Sequence, residues 1–599
     1  MSVLEGLNSG KDLKKLDKNA LKSLCKEIRE EIIRVTKKNG GHLSSNLGAV
    51  ELSVALHYVF DLPKDKLLFD VGHQCYAHKI LSGRKDAFDK IRQDCGISGF
   101  PDIFESEYDS FSVGHAGTSL SASVGIATAR DKLNEDYKVV AVVGDGALSN
   151  GLNLEALTAT ENKPKNLLVI LNDNGMSISK NLNGFYKIIS RGTTKPSYLK
   201  SKKAFKRIFR ESFITRFFRW LKKSIKHLFN KNDYFENFGF KYVGVIDGND
   251  VMETIDALKR VKEVMKDKAV VLHVKTTKGK GYLDAENYSD IYHGVGKDHA
   301  LKTSVFSKTL GETLNEIIEK DKRVIAITSA MKDGTGLKEV EEKNPDNFID
   351  VGIAEEYAVT LAGGLAVGGL KPIVAVYSTF MQRAYDQILH DVCIQNLPVV
   401  FCLDRAGFVG ADGKTHQGLF DLSYLSHLPN MTILAPSTAT ELKEMIKYAL
   451  SLNSPVAIRY PSAVEVEERE YYPLESGLWE KLKDGDKISI LAVGSRMIDL
   501  ANGIAEKIDG VSIYNSRTIK PLDDLVLDSI SKTKIITLEE NSVVGGFGDS
   551  VRRYYSSKNV AVNVKSYGAE DKFTNHGTVE TQLKENGLTI ERVLSDLNF

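Results

Sequence analysis

The residues with the clearest capacity for chemistry are Asp145, Asn174 and Met176. Asp145 stands between Gly144 and Gly146, and Asn174 lies in the run Asn172-Asp-Asn-Gly-Met-Ser-Ile-Ser179. Glycines on both sides of the aspartate permit a tight turn and a close approach of main chain to a ligand. The Asp145 carboxylate, the Asn174 amide oxygen and the Met176 main-chain carbonyl make three hard oxygen donors. Such a set suits Mg2+ with positions left open for phosphate oxygens and water. Ahead of these loops, His42, His73 and His115 each follow a glycine. Imidazoles change charge near neutral pH, and three in the same setting before a ligand loop are candidates for one site.

The elements that must position these residues can be read from the apolar pattern. Val139–Val143 and Leu167–Leu171 are apolar without alternation, as in strands buried on both faces, and a helix-length segment separates them. A right-handed βαβ unit follows, whose two polar loops emerge at the carboxyl end of a parallel sheet, where such folds bind ligands. Upstream, Asn19–Lys38 has the period of a helix, Gly40–Gly48 interrupts it, and a second helical run covers Val50–Phe60. Leu67–Val71 reads as a short strand, and a helix of small residues covers Ala116–Ala129. Tyr242–Ile246 and Ala269–Val274 read as further parallel strands.

A second α/β series is expected from about Thr303, with strand Val324–Thr328, helix Glu356–Val367 and strand Pro372–Val376. A third is expected from Gly485, with strands Ile488–Val493, Val511–Tyr514 and Lys534–Leu538. The fold class is therefore α/β, three domains each with a mainly parallel sheet flanked by helices. Their bounds are 1–302, 303–478 and 479–599.

The 599 residues are too many for one core, and 42% hydrophobic with 27% charged residues is ordinary for a globular protein. A net charge of +1 gives no global attraction to nucleic acid or membrane. Five cysteines without paired metal spacing, and no apolar run of about eighteen residues, lead to the expectation of free thiols in a cytoplasmic protein. One stretch differs. Residues 191–231 hold fourteen Lys or Arg against Glu211 alone, with six or more aromatics interleaved. This insertion reads as a flap or surface insertion ahead of a nucleic-acid or membrane arm, so neither nucleic acid nor membrane is expected as a partner.

Further motifs extend the pattern: GGHLSSNLG, DVGHQCYAHKILSGR, SVGH, GDGALS, NDNGMSIS, TKGKGY, YHGV, GIAEEYAVT, YSTFMQRAYDQ, DRAGFVGADGKTHQGLFDLSYL and IRYP. In this order they resemble the 1-deoxy-D-xylulose-5-phosphate synthase family of transketolase-like enzymes, from one end of the chain nearly to the other. The resemblance implies a homodimeric transferase that uses thiamine diphosphate and Mg2+. It would condense pyruvate with D-glyceraldehyde 3-phosphate, releasing carbon dioxide, for isoprenoid, thiamine and pyridoxal precursors.

By position, the resemblance implies that Asp145, Asn174 and Met176 hold the metal, and that His73, Gly114, His115, Ala116, Gly146, Ala147, Asn174, Tyr282, Glu355 and Phe380 line the cofactor. Glu355 would bond the aminopyrimidine ring; Glu356 points about 100° away on a helix. His42, His73, His115, His293 and His416, with Asp412, would orient substrates and move protons. Tyr377, Arg383, Arg405 and Arg459 would receive the acceptor phosphate, for which a guanidinium fork is well shaped.

The chain departs from the family pattern at several places. Asp102-Ile103 stands where Lys-Arg is common, and Gly114-His-Ala-Gly117 replaces Gly-His-Ser-Ser. Likewise Ile353-Ala-Glu-Glu-Tyr357 replaces Ile-Ala-Glu-Gln-His, Ser462 follows Arg459-Tyr-Pro461, and Ile246-Asp-Gly-Asn249 replaces Val-Asp-Gly-His. The changes fall around substrate positions. They leave open a paralogous enzyme that transfers a ketol or acyloin group between other substrates. A non-catalytic binding protein acting through the basic insertion is the reading from a different class.

Overall fold

The computed structural model describes residues 2–7, 10–159, 163–175, 233–299, 304–474 and 477–597, so Met176 and the basic stretch 191–231 lie outside the described residues. The chain divides into two compact units, Met1–Asp89 with Gly99–His299, and Lys90–Ser98 with Ala300–Phe599.

The first unit is built on a parallel sheet of β1 (Lys66–Phe69), β2 (Val139–Gly144), β3 (Leu167–Asp173), β4 (Lys241–Asp247) and β5 (Val270–Lys275), in the order β1-β2-β3-β5-β4. β3 is buried along its whole length and β2 up to Gly144, which is why neither alternates. Each fully buried Val, Leu or Ile contributes roughly 1.5–3 kcal/mol over leaving it exposed. Gly144 pairs with Asn172, so the loops carrying Asp145 and Asn174 leave neighbouring strands at the same end.

Helix α1 (Lys18–Asn39) buries Leu21, Leu24, Ile28, Ile32 and Val35 along one stripe. Asp17 caps its start by accepting from the Ala20 N–H at 2.8 Å. The Gly40–Gly48 stretch is more ordered than an interruption: Leu43–Gly48 is itself helical, and Gly41 exchanges both main-chain hydrogen bonds with Val295. Main-chain pairing between residues far apart in sequence leaves no local periodicity to read.

The second unit carries two sheets. One comprises β6 (Val324–Thr328), β7 (Phe348–Asp350), β8 (Lys371–Tyr377), β9 (Val400–Asp404), β10 (Thr432–Leu434) and β11 (Val456–Arg459), all parallel. The other comprises β12 (Glu480–Lys483), β13 (Ile488–Ala492), β14 (Val511–Asn515), β16 (Lys534–Ser542) and β17 (Val564–Ala569), parallel except for β12. Between β14 and β16, the short β15 (Thr518–Lys520) crosses over and pairs antiparallel with β10. The two sheets thus share a buried seam: Trp479 donates from Nε1 to the Thr518 carbonyl at 2.7 Å and packs edge-on against Phe547. The fold is α/β with three mainly parallel sheets.

Candidate active site

In the first unit the carboxyl ends of the strands collect the polar residues singled out above. Asp145 opens a short helical turn, Asp145–Leu148, directly after β2; its neighbours Gly146 and Ala147 are buried with it. The His42, His73 and His293 rings form a cluster with centroids 5.1–5.7 Å apart. Asn46 ties the turns that carry two of them, donating from Nδ2 to the His42 carbonyl at 2.6 Å and the His73 carbonyl at 2.7 Å. Ser45 Oγ lies 3.3 Å from His293 Nδ1.

Lys278, in the Thr276–Tyr282 loop after β5, is buried near both groups. Burial pushes its ammonium down to about 8 against the pull of Asp145 and Asp290. Burial first, then the Lys278 charge, hold His293 well below the ordinary imidazole range. A neutral imidazole therefore sits beside a buried cation, an arrangement that accepts anions and passes protons.

The loop bearing Gly114, His115 and Ala116 is held by Asp70, which follows β1. Its carboxylate accepts from the Gly117 N–H (2.9 Å), the Ser119 N–H (3.0 Å) and Ser119 Oγ (2.8 Å). Gly117 adopts φ +95°, and a Cβ there would lie 2.2 Å from Asn150 Oδ1, so only glycine fits. Asn174 is placed by a second buried relay. His273 donates from Nε2 to Asp173 Oδ2 at 2.8 Å, because a carboxylate can only accept, and its Nδ1 then accepts from Tyr242 at 2.8 Å. Asp173 Oδ1 accepts from the Gly175 N–H at 3.1 Å, which fixes the turn around Asn174. Tyr282 is set further along, edge-on to Tyr292 and His299.

The second unit gathers the remaining candidates. Glu355 begins helix α2 (Glu355–Val367) and is 3% exposed, whereas Glu356 is half-exposed. Burial pushes the Glu355 carboxyl up to about 7; Arg383, with Nη1 3.5 Å from Oε2, opposes this. Tyr377 ends β8, and the Arg405 guanidinium lies over its ring at 3.7 Å. Arg405 also donates from Nη1 to the Gly334 carbonyl and to Asp404 Oδ1, each at 3.1 Å. Phe380 stacks on Tyr377 and meets the His416 ring edge-on at 5.4 Å. His416 Nδ1 lies 2.8 Å from Thr415 Oγ1, and burial lowers its pKa. Asp412 is ion-paired with Arg92.

Tyr377, Phe380, Arg405 and His416 are therefore brought together around one surface, with Glu355 and Arg383 as a second pair. Arg459 is placed differently from the phosphate role expected of it. It is 5% exposed, and its guanidinium bonds Asp421 Oδ1 (3.0 Å) and the main-chain carbonyls of Glu540 (2.9 Å) and Gly418 (3.5 Å). These contacts make it a brace between β11, the Gly418–Asp421 segment and β16.

Several residues were missed in the sequence. Lys278 lies inside the quoted TKGKGY motif, and His273 is a polar interruption in an apolar strand, so both left a signal. Glu540 and Arg92 left none, because their partners are distant in sequence; Asp70 opens the quoted DVGHQCYAHKILSGR motif, but nothing local marks its contacts with Gly117 and Ser119. Among the described residues no helix is long and apolar enough to cross a membrane.

Residues 4–276 match the family described as 1-deoxy-D-xylulose-5-phosphate synthase. Residues 303–464 match the pyrimidine-binding domain of transketolase, and residues 477–593 its C-terminal domain. The chain is 45% identical over 605 residues to the 1-deoxy-D-xylulose-5-phosphate synthase of Clostridium tetani, covering 98% of this chain and 97% of that one. It is also 45% identical over 612 residues to that of Carboxydothermus hydrogenoformans, covering 99% and 98%. Transketolase from Campylobacter jejuni aligns in structure with a TM-score of 0.43 at 17% identity, covering 97% of this chain and 100% of that one. From the near-complete coverage at this identity, the chain belongs to the 1-deoxy-D-xylulose-5-phosphate synthase family.

Proposed function

We propose that the protein condenses pyruvate with D-glyceraldehyde 3-phosphate to give 1-deoxy-D-xylulose 5-phosphate and carbon dioxide, using thiamine diphosphate and Mg2+. Besides family membership, one observation carries the reading: Glu355 is a buried carboxyl at a helix start whose pKa is pushed up to about 7. Such a group can exchange a proton with a ring nitrogen at working pH. The donors after β2 and β3 also fit the cofactor. A single carboxylate, Asp145, and the Asn174 amide are hard oxygen ligands, and the buried Lys278 ammonium lies near enough to Asp145 to feel its charge. That combination suits a magnesium diphosphate, since the phosphates supply the metal's remaining anionic oxygens.

When bound, thiamine diphosphate supplies the electron sink that decarboxylation needs. The chain's own residues do the rest. Asp145, Asn174 and the Met176 carbonyl would hold the metal, and Gly114, Ala116, Gly146 and Ala147, with His73, His115 and Tyr282, would seat the cofactor. Glu355 would hold the proton at the ring nitrogen, and Phe380 would help to line the cofactor. His42, His73 and His293 orient the pyruvate carboxylate and carbonyl and move protons there, His293 as a neutral imidazole. Arg405, spread over Tyr377, takes the acceptor phosphate with Arg383, while Asp412 and His416 orient the acceptor's hydroxyl and carbonyl groups. The three segments 1–302, 303–478 and 479–599 serve as diphosphate, aminopyrimidine and C-terminal domains of a cytoplasmic homodimer. An exposed apolar face of α2, including Tyr357 and Val367, supports the dimer by offering surface for a second copy to cover.

A second reading, a ketol or acyloin transferase with another donor or acceptor, is favoured by the Asp102–Phe104 loop. There Asp102 Oδ1 accepts from the Phe104 N–H and Ser112 Oγ, both at 3.1 Å, and Ile103 is 48% exposed, so the loop presents no cation. Turnover of a panel of 2-oxo acids and aldehydes separates the two. Pyruvate with D-glyceraldehyde 3-phosphate should be by far the best pair, and a better pair of other substrates would replace the first reading with the second.

A further inference from the structure

A buried chain of polar groups in the first unit takes no part in the chemistry described above, and Asp109 anchors it. Arg84 donates to both carboxylate oxygens of Asp109, from Nη1 to Oδ2 at 2.7 Å and from Nη2 to Oδ1 at 2.8 Å. The Asp102 N–H adds a further bond to Oδ2 at 2.9 Å. Against the effect of burial, Arg84 and His78 hold this carboxyl well below the usual carboxylate range. A carboxylate can only accept, so His78 Nε2 donates to Asp109 Oδ1 at 3.1 Å. His78 Nδ1 must then accept from His57 Nε2, 2.9 Å away. A neutral imidazole has one donor and one acceptor nitrogen, so His57 Nδ1 is left as a lone pair. Burial first, then His78 and Arg84, hold His57 well below the ordinary imidazole range, and that nitrogen stays unprotonated.

His57 is 2% exposed, and its Nδ1 has no hydrogen-bond partner among the described residues. A buried acceptor is costly to leave unmade. His57 lines a cavity of about 570 Å3, together with the apolar Phe60, Leu62 and Pro63. The charged side chains around this cavity are of both signs. Lys14 and Asp61 pair with each other. Lys66 spends one donor on the Pro63 carbonyl at 3.1 Å. Lys64 and Glu107, both exposed, form no hydrogen bond or ion pair among the described residues.

A simple anion here would satisfy Lys64 and Lys66, but it would meet the Glu107 carboxylate and offer the lone pair nothing. A simple cation would satisfy Glu107 and His57 but meet the lysines. One molecule that carries both an ammonium and a carboxylate answers every group, and the apolar residues suit an apolar side chain on it. We propose that this cavity binds a free α-amino acid with an apolar side chain, its ammonium on His57 Nδ1 and Glu107 and its carboxylate on Lys64 and Lys66. The chain of bonds behind His57 ends on the Asp102 N–H, which links the cavity to the Asp102–Phe104 loop.

Calorimetric titration of the full chain with L-leucine, L-isoleucine, L-valine, L-methionine and L-phenylalanine tests this, with and without thiamine diphosphate and Mg2+. At least one of them should bind at one site per chain, equally well in both conditions. Its methyl ester and its N-acetyl derivative each lack one of the two charges. Both should bind about tenfold more weakly or worse, because each loses a charge-assisted hydrogen bond. Glu107→Gln, a change at an exposed residue, should weaken binding about fivefold or more. His57→Phe should weaken it at least as much, and Glu107→Gln carries the test if His57→Phe does not accumulate. In protein labelled with 15N-histidine, the unprotonated His57 Nδ1 resonance should move on binding, and hydrogen–deuterium exchange should fall in residues 57–66 and 102–109. Failure of all five amino acids to bind would overturn the inference. So would an N-acetyl derivative or a methyl ester that binds as well as the parent, which would mark a plain anion or cation site. Binding that Glu107→Gln leaves unchanged, or that protects other residues and not these, would place the ligand elsewhere and overturn it too.

Discussion

Replacing Glu355 by glutamine should make the second unit more stable at high pH while removing the chemistry. The helix start and Arg383 both favour the carboxylate form, yet burial outweighs them and raises the carboxyl from 4.5 to about 7. The folded state therefore binds this proton more tightly than the unfolded chain. The resulting stability is fully present below 4.5 and is lost as pH rises through about 7. At about 1.4 kcal/mol per tenfold change in proton affinity the total is roughly 3 kcal/mol, most of which falls between pH 5 and pH 8. The glutamine side chain has nearly the same size and does not titrate. Relative to wild type, the variant should gain about 2–3 kcal/mol on going from pH 5 to pH 8.

Urea denaturation followed by Trp479 fluorescence, in a Trp220→Phe background, reads this from the second unit, where Trp479 is buried. Glu539, also pushed up to about 7 by burial, titrates in both proteins and cancels. Exchange of the C2 proton of added thiamine diphosphate, followed by NMR, should meanwhile fall by orders of magnitude. A pH-dependent difference within about 0.5 kcal/mol, the range of ordinary surface changes, would refute the buried-carboxyl reasoning. Near wild-type exchange would refute the catalytic assignment.

Arg405→Met should raise KM for D-glyceraldehyde 3-phosphate at least tenfold while sparing pyruvate decarboxylation without acceptor, because a lost charge-assisted bond costs about 1.5–3 kcal/mol; steady-state kinetics with each substrate varied separates the two. His273→Leu should leave Asp173 and Tyr242 without their shared partner and cost about 2–4 kcal/mol of stability. It should also weaken magnesium-dependent cofactor binding at least tenfold in calorimetry, since groups behind a ligand orient it.

Legibility followed the range of the interactions. β2, β3, β6 and β8 could be read because strands covered on both faces are apolar without a break, and Asp145 and Asn174 because they stand at the ends of such strands. α1 was visible in a single buried stripe. β15 was not: three residues paired antiparallel with a strand about 85 positions earlier carry no period of their own. The same distance in sequence hid Asp70 under the His115 loop, Glu540 beneath Arg459, and Arg92 beside Asp412. Arg405 and Arg459 looked alike as cations next to strand ends. Only the folded chain separates an arginine laid on an aromatic ring at the surface from one sealed among carbonyls. Residue type and strand-end position thus point to the chemistry, while tertiary partners decide which side chain is available for it.

The most direct test of the central claim is a mass balance on purified protein given pyruvate labelled with 13C at C1 and C2, D-glyceraldehyde 3-phosphate, Mg2+ and thiamine diphosphate. NMR should show one labelled carbon dioxide for each labelled 1-deoxy-D-xylulose 5-phosphate, with neither formed when thiamine diphosphate or Mg2+ is withheld. Protein with cofactor demonstrably bound that forms no ketose phosphate, or forms it without an equal release of carbon dioxide, would contradict the account.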